Sequence, residues 1–385
     1  MTGVKRYSIP GELKQYINRD TIIVRSPGRI NLIGEHTDYN NGFVLPAAID
    51  KAVYVAVEKN AGDRILLHSI DFNESVEVEL SAIKPAHGHW STYILGVVDQ
   101  LLKRGYHLHG FKLTIYGDVP LGAGLSSSAA VECAAASALN ELFALNIERI
   151  ELVKIAQSAE HEFAGVQCGI MDQFASMFGK KDRVIKLDCR SLEYEYFPFS
   201  MDGFKIVLLD SQVKHSLAST AYNERRSQCE EGVFLIKEKF PEVESLRDVS
   251  LPMIEKCLGF KEIIYKRCKY VVEENNRLQK GCTDLQKSNI KDFGQKMFST
   301  HKGLSEQYEV SCKELDFLVE AVRHLPEVIG ARMMGGGFGG CTINIVEEDA
   351  IEMVINNITD KYRKDIQKDL KAYVVQIEDG TSVIR

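Results

Sequence analysis

Between residues 121 and 130 the chain reads Leu-Gly-Ala-Gly-Leu-Ser-Ser-Ser-Ala-Ala, and these residue types suit the binding of a phosphate group. A strand-like run, 111–118, precedes this segment, and an Ala-rich helical run follows it to Leu145. A strand, a tight glycine turn and a helix together point free backbone N–H groups and the positive end of the helix dipole at one spot. Serine hydroxyls add bonds to phosphate oxygens or to a cation. We therefore predict a nucleotide-phosphate site here.

The common nucleotide-binding motifs do not account for this loop. It lacks the lysine that follows the last glycine of a P-loop. It also lacks the third glycine of a dinucleotide fingerprint, because Ser127 stands at that position. On the loop alone, a turn that merely packs tightly against a helix is an equally good interpretation.

A second group able to do chemistry is the carboxylate of Asp172, which follows the apolar residues Ile170 and Met171. A carboxylate in apolar surroundings must be paired, or its pKa shifts. Arg29, from the glycine-rich segment 25–42, is a candidate partner. Asp172 would then be a base for a substrate hydroxyl, with Arg29 stabilising the transferring phosphoryl group. The local sequence favours Asp172 as a helix N-cap slightly more.

A nucleotide phosphate usually binds with Mg²⁺, which takes hard oxygen ligands. Ser128 is one candidate ligand, and a carboxylate near the end of the predicted helix 150–163 is the other. Glu160 and Glu162 both qualify, but residues two apart on a helix point in different directions. The local sequence does not choose between them, and an exposed helix charge is the commoner role of any Glu.

The segment 25–42 also contains Glu35, His36 and Asp38 within four positions. Carboxylates and imidazole make directional hydrogen bonds, as recognition of a polyol requires. Asp and His are also common in turns without function, but three such residues so close together favour a sugar site. Trp90, the only tryptophan, would stack on a nucleobase or lie in a core. Tyr222 follows a predicted strand, where it would line a site or anchor a helix.

The elements that must position these residues fit two α+β domains. A chain of 385 residues rarely forms one core. Strands are predicted at the start of the chain, beginning with 21–24, and a second unit begins near Phe204 with a strand and long polar helices. A second glycine-rich turn, 335–340, lies between strands predicted at 329–333 and 341–346. We place the domains at 1–203 and 204–385.

Composition excludes several classes of protein. The net charge is -7 without a basic block, so we expect no nucleic-acid partner. The nine cysteines include no Cys-x-x-Cys pair, which argues against a zinc site or a disulfide framework. Residues 1–16 lack the apolar core of a secretory signal, and no stretch approaches the ~20 apolar residues of a membrane span. We expect a cytoplasmic protein, a monomer without membrane attachment.

Taken together, these segments resemble the galactokinases of the GHMP kinase superfamily, which is named for galactokinase, homoserine, mevalonate and phosphomevalonate kinases. The galactokinase signature resembles residues 25–50, including Gly-Glu-His-Thr-Asp-Tyr at 34–39. The superfamily's phosphate motif resembles 120–130, and its third motif resembles 335–340. Residues 168–173 and 215–218 are similar to further galactokinase segments.

The resemblance implies ATP-dependent phosphorylation of D-galactose at the anomeric hydroxyl, with Mg²⁺, in a cleft between two α+β domains. It makes Asp172 the base, Arg29 the neighbouring transition-state arginine, and Ser128 and Glu160 the magnesium ligands. Positions that match sugar contacts are Glu35, His36, Thr37, Asp38, Gly169 and Tyr222. Positions that match ATP contacts are Ser69, Trp90, Gly122, Ala123, Gly124, Leu125, Ser126, Ser127 and Ser128.

Two alternatives stay open from the sequence. One is a kinase of the same fold for N-acetylgalactosamine or another sugar, because the pocket wall near the sugar 2-position cannot be read from the sequence. The other is a non-catalytic sensor that binds galactose and ATP to switch a partner. The serine loop, Asp172 and Arg29 argue against the sensor, because a silent protein need not keep all of them.

Overall fold

The computed structural model describes residues 7–85, 88–199, 201–213 and 218–385. Within these residues the chain forms three β-sheets surrounded by helices. The strands are β1 (Ile22–Asn31), β2 (Phe43–Val44), β3 (Pro46–Lys59), β4 (Arg64–Ser69), β5 (Glu74–Glu79), β6 (Phe111–Gly117), β7 (Arg183–Asp188), β8 (Tyr194–Pro198), β9 (Phe204–Asp210), β10 (Val328–Met333), β11 (Cys341–Glu347), β12 (Lys371–Val375) and β13 (Ser382–Val383).

Strands and helices occur in separate runs along the chain, such as β1 to β5 and five successive helices after β9, and nearly all strand pairs are antiparallel, so the fold is α+β. The α-helices are α1 (Ser91–Lys103), α2 (Ser127–Leu142), α3 (Arg149–Ala159), α4 (Met171–Phe178), α5 (Ala218–Lys237), α6 (Leu251–Leu258), α7 (Glu262–Gln286), α8 (Ile290–Glu306), α9 (Lys313–Arg323) and α10 (Ile351–Ile366). A π-helical turn, Glu160–Ala164, continues α3. Short 3₁₀ turns lie at Gly11–Tyr16, Asp38–Asn40, Leu80–Ala82, Leu246–Asp248 and Glu348–Ala350.

The first domain is built on a six-stranded sheet in the order β13-β1-β3-β6-β4-β5. Its pairings are antiparallel except for β4 with β6. Helices α2 and α4 pack on β1 and β3 through small buried residues, since α2 is rich in alanine. A smaller sheet, β2-β7-β8, lies beside them. This arrangement brings the starts of α2 and α4 to the same end of β1.

The second domain is built on the antiparallel sheet β10-β11-β9-β12, with α8 and α9 packed on β10. Close approach is possible because α8 carries Gly294, where a Cβ atom would lie 2.1 Å from the Ile329 carbonyl oxygen. Gly294 belongs to an Asp-Phe-Gly triplet, 292–294, whose Phe293 is fully buried. The triplet therefore serves packing between helix and sheet.

The structure departs from the sequence prediction at β1. The sequence predicts a strand at 21–24, but β1 continues to Asn31 through a register shift between Pro27 and Arg29. Pairing with the long β3 outweighs the local glycine and proline, so Arg29 lies at the end of a sheet strand. The domain boundary proposed at 203/204 falls at the start of β9, yet β13 returns to pair with β1.

The described helices include none long and apolar enough to cross a membrane.

Candidate active site

A cavity of about 350 Å³ lies where the start of α2, the start of α4 and the second glycine-rich loop meet. Arg29 and Asp172 line it together with residues of the phosphate loop, 121–130, and of the second glycine-rich turn, 335–340. The structure therefore brings the phosphate loop and the predicted sugar segment to one space.

The ion pair between Arg29 and Asp172 forms one wall of this cavity. Arg29 donates from Nε to Asp172 Oδ1 and from Nη2 to Oδ2, each at 2.6 Å. The pair is bidentate, which is the strong and directional form of this interaction. Arg29 also donates from Nη1 to the Gly124 carbonyl oxygen at 2.6 Å. The side chain of Arg29 is 4% exposed and that of Asp172 is 22% exposed, so the carboxylate is the member open to the cavity.

The phosphate loop presents its backbone to the same space. Gly122 and Gly124 both have φ of 76°, which favours glycine. Ser126, the N-cap of α2, has φ of 54° and donates its hydroxyl proton to Asp172, so it does not cap the helix. The first N–H groups of α2 therefore keep their capacity to bind an anion.

Ser128 and Glu160 lie side by side behind the loop. Ser128 donates from Oγ to Glu160 Oε1 at 3.0 Å. Gln173 donates from Nε2 to Glu160 Oε2 at 2.6 Å and to the buried Glu132 at 3.0 Å. Burial, and then the charge of Asp172, raise the pKa of Glu160 to about 7. Hard oxygen donors and excess buried negative charge suit a divalent cation.

The two candidate glutamates lie in the π-helical turn and differ in their surroundings. Glu160 faces the loop, whereas Glu162 is 47% exposed and ion-paired with Lys103 at 2.5 Å. Among the described residues no group of three or more His, Cys, Asp or Glu side chains is arranged to hold a metal. A cation held by one serine and one glutamate would not need such a group, because the oxygens of bound phosphates would supply the remaining ligands.

The predicted sugar residues separate into cavity and support positions. Glu35, His36, Asp38 and Tyr222 line the cavity. Thr37 is fully buried and donates to backbone carbonyl oxygens at Gly34 and Phe43, 2.8 and 2.6 Å away, so it stabilises the turn outside the cavity lining.

Gly169 also lies outside the lining of this cavity. Because it has no side chain, it leaves room for the carboxyl group of Asp38. A Cβ atom at Gly169 would lie 2.0 Å from Asp38 Oδ2. Burial, and then the charge of Asp172, raise the pKa of Asp38 to about 7. The carboxyl group of Asp38 is therefore held in a site that penalises its charged form when no ligand is bound.

We predict that Asp38→Asn stabilises the free protein at high pH. The pKa of Asp38 is raised from 3.8 to about 7, so its penalty on folding grows as the pH rises through that interval. The full shift corresponds to about 4 kcal/mol, which relaxation reduces, so we expect about 1–3 kcal/mol at pH 8 and close to none at pH 4. Thermal unfolding across this pH range measures it. Asp118→Asn, at an exposed ion pair with Lys51, should show no such pH-dependent gain; an equal gain there would contradict the prediction.

Ser69 and Trp90, predicted near the nucleotide, lie in an adjoining cavity of about 330 Å³. Its walls are mostly apolar and include Val53 and Ile115. Trp90 is fixed by donation from Nε1 to Glu74 at 2.9 Å. The two cavities share Ser127 and Ser128 in their walls, so the phosphate loop connects an apolar cavity to a polar one.

Arg332, which was not predicted from the sequence, connects the two domains at the site. Fully buried in β10, it donates to the Asn31 and Leu32 carbonyl oxygens and, at 3.3 Å, to Glu35. Glu35 also accepts from the Gly335 backbone N–H. The sequence feature that could have identified Arg332 is a charged residue inside an otherwise apolar predicted strand. Of the segment 215–218, singled out from the sequence, residues 215–217 lie outside the described residues.

Known protein families and solved structures share the architecture described above. The GHMP kinases N terminal domain matches residues 92–180, and the GHMP kinases C terminal domain matches 283–364. The galactokinase galactose-binding signature matches 13–59. A mevalonate kinase from Methanococcus jannaschii shares the fold, with a TM-score of 0.66 at 19% identity over 94% of this chain and 100% of that one. Fold and site together define a GHMP-type kinase.

Relatives with higher sequence identity indicate the family within the GHMP-type kinases. Galactokinase from Thermotoga petrophila is 44% identical over 361 residues, which cover 94% of this chain and 99% of that protein. Galactokinase from Clostridium acetobutylicum is 41% identical over 93% of this chain and 94% of that protein. The structure of Lactococcus lactis galactokinase complexed with galactose has a TM-score of 0.91 at 34% identity, covering 94% of this chain and 95% of that one. The chain belongs to the galactokinase family.

Proposed function

We propose that this protein phosphorylates D-galactose at the anomeric hydroxyl with ATP, giving galactose 1-phosphate and ADP. The observation that carries the proposal is the bidentate pair between Arg29 and Asp172, placed between the phosphate loop and the wall of Glu35, His36 and Asp38. Galactokinase relatives that span almost the whole chain support the choice of sugar. We further propose that the protein acts in the cytoplasm as a monomer.

Each cavity suits one substrate. The polar cavity of about 350 Å³, with carboxylate and imidazole groups in its wall, suits a sugar. The apolar cavity of about 330 Å³, beside Ser69 and Trp90, suits a nucleoside. Because both cavities meet at Ser127 and Ser128, ATP bound this way would lay its phosphates along the loop and its γ-phosphate towards the sugar.

The ion pair supplies the chemical step. Asp172, the exposed member, would accept a hydrogen bond and then the proton from the anomeric hydroxyl as that oxygen bonds to the γ-phosphorus. Arg29 keeps the carboxylate oriented, and its guanidinium is placed to stabilise charge on the transferring group. The proton ends on Asp172 and ADP leaves with the electrons of the broken P–O bond.

Magnesium fits the pair formed by Ser128 and Glu160. These residues offer two adjacent oxygens, 3.0 Å apart, at the edge of the phosphate loop. Burial raises the pKa of Glu160, so a nearby cation would favour its charged form. When bound, the ion would supply neutralisation of phosphate charge, while Gln173 holds the Glu160 carboxylate in place.

We predict that Glu160→Gln raises the Mg²⁺ concentration needed for half-maximal rate by about tenfold or more, since even outer supports of a metal ligand cost about 10–100-fold. Initial rates at fixed ATP over a magnesium series measure the effect. Glu162→Gln is the matched control, because that carboxylate points to Lys103 and should leave the magnesium requirement unchanged. Equal magnesium curves for all three proteins would place the ion elsewhere.

A coupled assay of ADP release tests the function against its alternatives. The protein is assayed with galactose, 2-deoxygalactose, N-acetylgalactosamine and glucose. We expect turnover with galactose and little with glucose. Preference for N-acetylgalactosamine would reassign the substrate. Galactose binding without turnover of any sugar would identify a sensor and overturn the proposal.

A further inference from the structure

The imidazole of His36 has one nitrogen that the rest of the described protein does not use. The residue is 3% exposed and lines the polar cavity, and its Nε2 atom has no hydrogen-bond partner among the described residues. Its backbone has φ of 62°, a left-handed conformation that a non-glycine residue adopts at a cost. A buried polar atom is normally satisfied, so this nitrogen is placed for a ligand.

The other ring nitrogen is the end of a buried chain of hydroxyl groups. His36 Nδ1 lies 2.7 Å from Tyr39 Oη. That oxygen lies 2.8 Å from Tyr308 Oη, which in turn lies 3.2 Å from Cys229 Sγ. Tyr308 and Cys229 are fully buried and come from the second domain. The imidazole also packs 5.2 Å from the Tyr222 ring and 5.0 Å from the Tyr308 ring, which fixes its plane.

The chain of hydroxyls determines which nitrogen carries the proton. Each phenol has one proton to donate, and a bare imidazole nitrogen is a good acceptor. In one direction Tyr39 donates to His36 Nδ1, Tyr308 donates to the Tyr39 oxygen, and the Cys229 thiol donates to Tyr308; in the reverse direction His36 Nδ1–H donates to Tyr39. The hydrogen bond at one ring nitrogen sets the state of the other. In the first direction, the proton of the neutral ring resides on Nε2.

The ring stays neutral at physiological pH. Burial is the main cause that lowers the pKa of His36 to about 3; the Gly336 backbone acts in the opposite direction, and the charges of Arg225 and Arg332 add to the lowering. The side chain of His36 therefore enters the cavity as an uncharged ring that the neighbouring tyrosine rings hold in place.

We propose that Tyr308, acting through Tyr39, is a positioning residue that presents His36 Nε2–H as a hydrogen-bond donor to one hydroxyl oxygen of the sugar. The inference rests on the proposed function, because it names the group that reads part of the substrate. It assigns sugar specificity to a residue of the second domain that does not line the cavity.

The position of Tyr308 is itself well fixed. Arg225 donates from Nε to the Tyr308 carbonyl oxygen at 2.8 Å and from Nη2 to the Glu309 carbonyl oxygen at 3.0 Å. The Phe338 backbone N–H donates to the Val310 carbonyl oxygen at 2.7 Å. The turn at 308–310 therefore supports both the His36 chain and the second glycine-rich loop.

A double-mutant cycle that combines a protein variant with deoxy derivatives of the sugar tests the proposal. Wild type and Tyr308→Phe are compared by kcat/KM on galactose and on its 2-, 3-, 4- and 6-deoxy derivatives. Loss of one neutral hydrogen bond is worth about fivefold to tenfold. We expect the cost of removing one particular hydroxyl to shrink by that factor in Tyr308→Phe, chiefly through KM, while the other costs stay the same. Unchanged costs at every position would overturn the inference.

Tyr362→Phe is the matched control. Its hydroxyl is also fully buried and donates to the Ser211 carbonyl oxygen at 2.8 Å, and neither residue lines the cavity. It should leave every deoxygenation cost as in wild type. If it instead reproduced the change seen in Tyr308→Phe, the effect would come from loss of stability and the inference would fail.

Nitrogen-15 NMR of the histidine rings gives a readout that needs no substrate and no Tyr308 variant. The His36 signals are assigned by their loss in His36→Gln. We expect protonated Nε2 and bare Nδ1 in wild type; the opposite tautomer would overturn the inference. Failure of the wild type to phosphorylate galactose would overturn the proposed function instead, and the tautomer measurement would still decide the assignment of the hydroxyl chain.

Discussion

Asp172→Asn is expected to lower kcat by about 10³–10⁴-fold, near the upper range for loss of a positioned general base. The amide has nearly the same shape but cannot accept the proton of the anomeric hydroxyl. It also breaks the bidentate pair, because an amide NH₂ group would face the Arg29 donors. Galactose binding should survive, since the wall of Glu35, His36 and Asp38 is intact. Steady-state kinetics with galactose and isothermal titration of the sugar measure both effects.

Asp188→Asn provides the matched control for Asp172→Asn. Asp188 is another aspartate in an arginine pair, bound to Arg247 at 3.1 Å, and its side chain is 22% exposed, as is that of Asp172. It lies outside the cavity and should keep nearly full activity. If Asp172→Asn retained activity within about tenfold of wild type, orientation of the hydroxyl by other groups would suffice and Asp172 would not be a base.

Arg29→Lys is expected to lower kcat by about 10²–10³-fold, the range for removal of one preorganised donor to a developing negative charge. A lysine keeps the charge but loses the rigid fork that holds both oxygens of Asp172 and the Gly124 carbonyl oxygen. The rate should fall at saturating galactose and ATP. Single-turnover kinetics measures the chemical step separately from product release.

Arg247→Lys repeats the same change at the Asp188 pair and should leave kcat near the wild-type value. Comparable activity in Arg29→Lys and Arg247→Lys would mean that charge alone, without bidentate geometry, is enough at Arg29. A fall confined to KM for galactose would move Arg29 from the chemical step to substrate binding.

Local pattern was sufficient for much of the fold, but it slightly favoured Asp172 as a helix N-cap, whereas the N-cap of α4 is Ile170 and Asp172 lies in the first turn. The glycine turn between strand and helix located the start of α2, and an Asp in an apolar segment pointed to a partner, which the structure identifies as Arg29. The helix predicted at 150–163 corresponds to α3 and the π-helical turn that continues it. Each of these features was recognised from residues close together in the chain, although Arg29 and Asp172 themselves are 143 positions apart.

The features that the sequence did not reveal depend on contacts between distant segments. Arg332 meets Glu35 about three hundred positions away, and Tyr308 meets Tyr39 across a comparable gap. The periodicity of a local sequence does not predict such pairs, because the same residue types also occur in a core without a role in a site. Thr37 belongs to the predicted binding motif, yet its hydroxyl bonds to backbone carbonyl oxygens, so its contact with the sugar stays a prediction.

Identification of the product by phosphorus-31 and carbon-13 NMR, after incubation with ATP, Mg²⁺ and galactose labelled at C1, shows directly which oxygen of the sugar is phosphorylated. We predict a phosphate ester on C1, formed in step with ADP by wild type and nearly absent with Asp172→Asn. ADP formation without a sugar phosphate, or a phosphate on any other carbon, would contradict it.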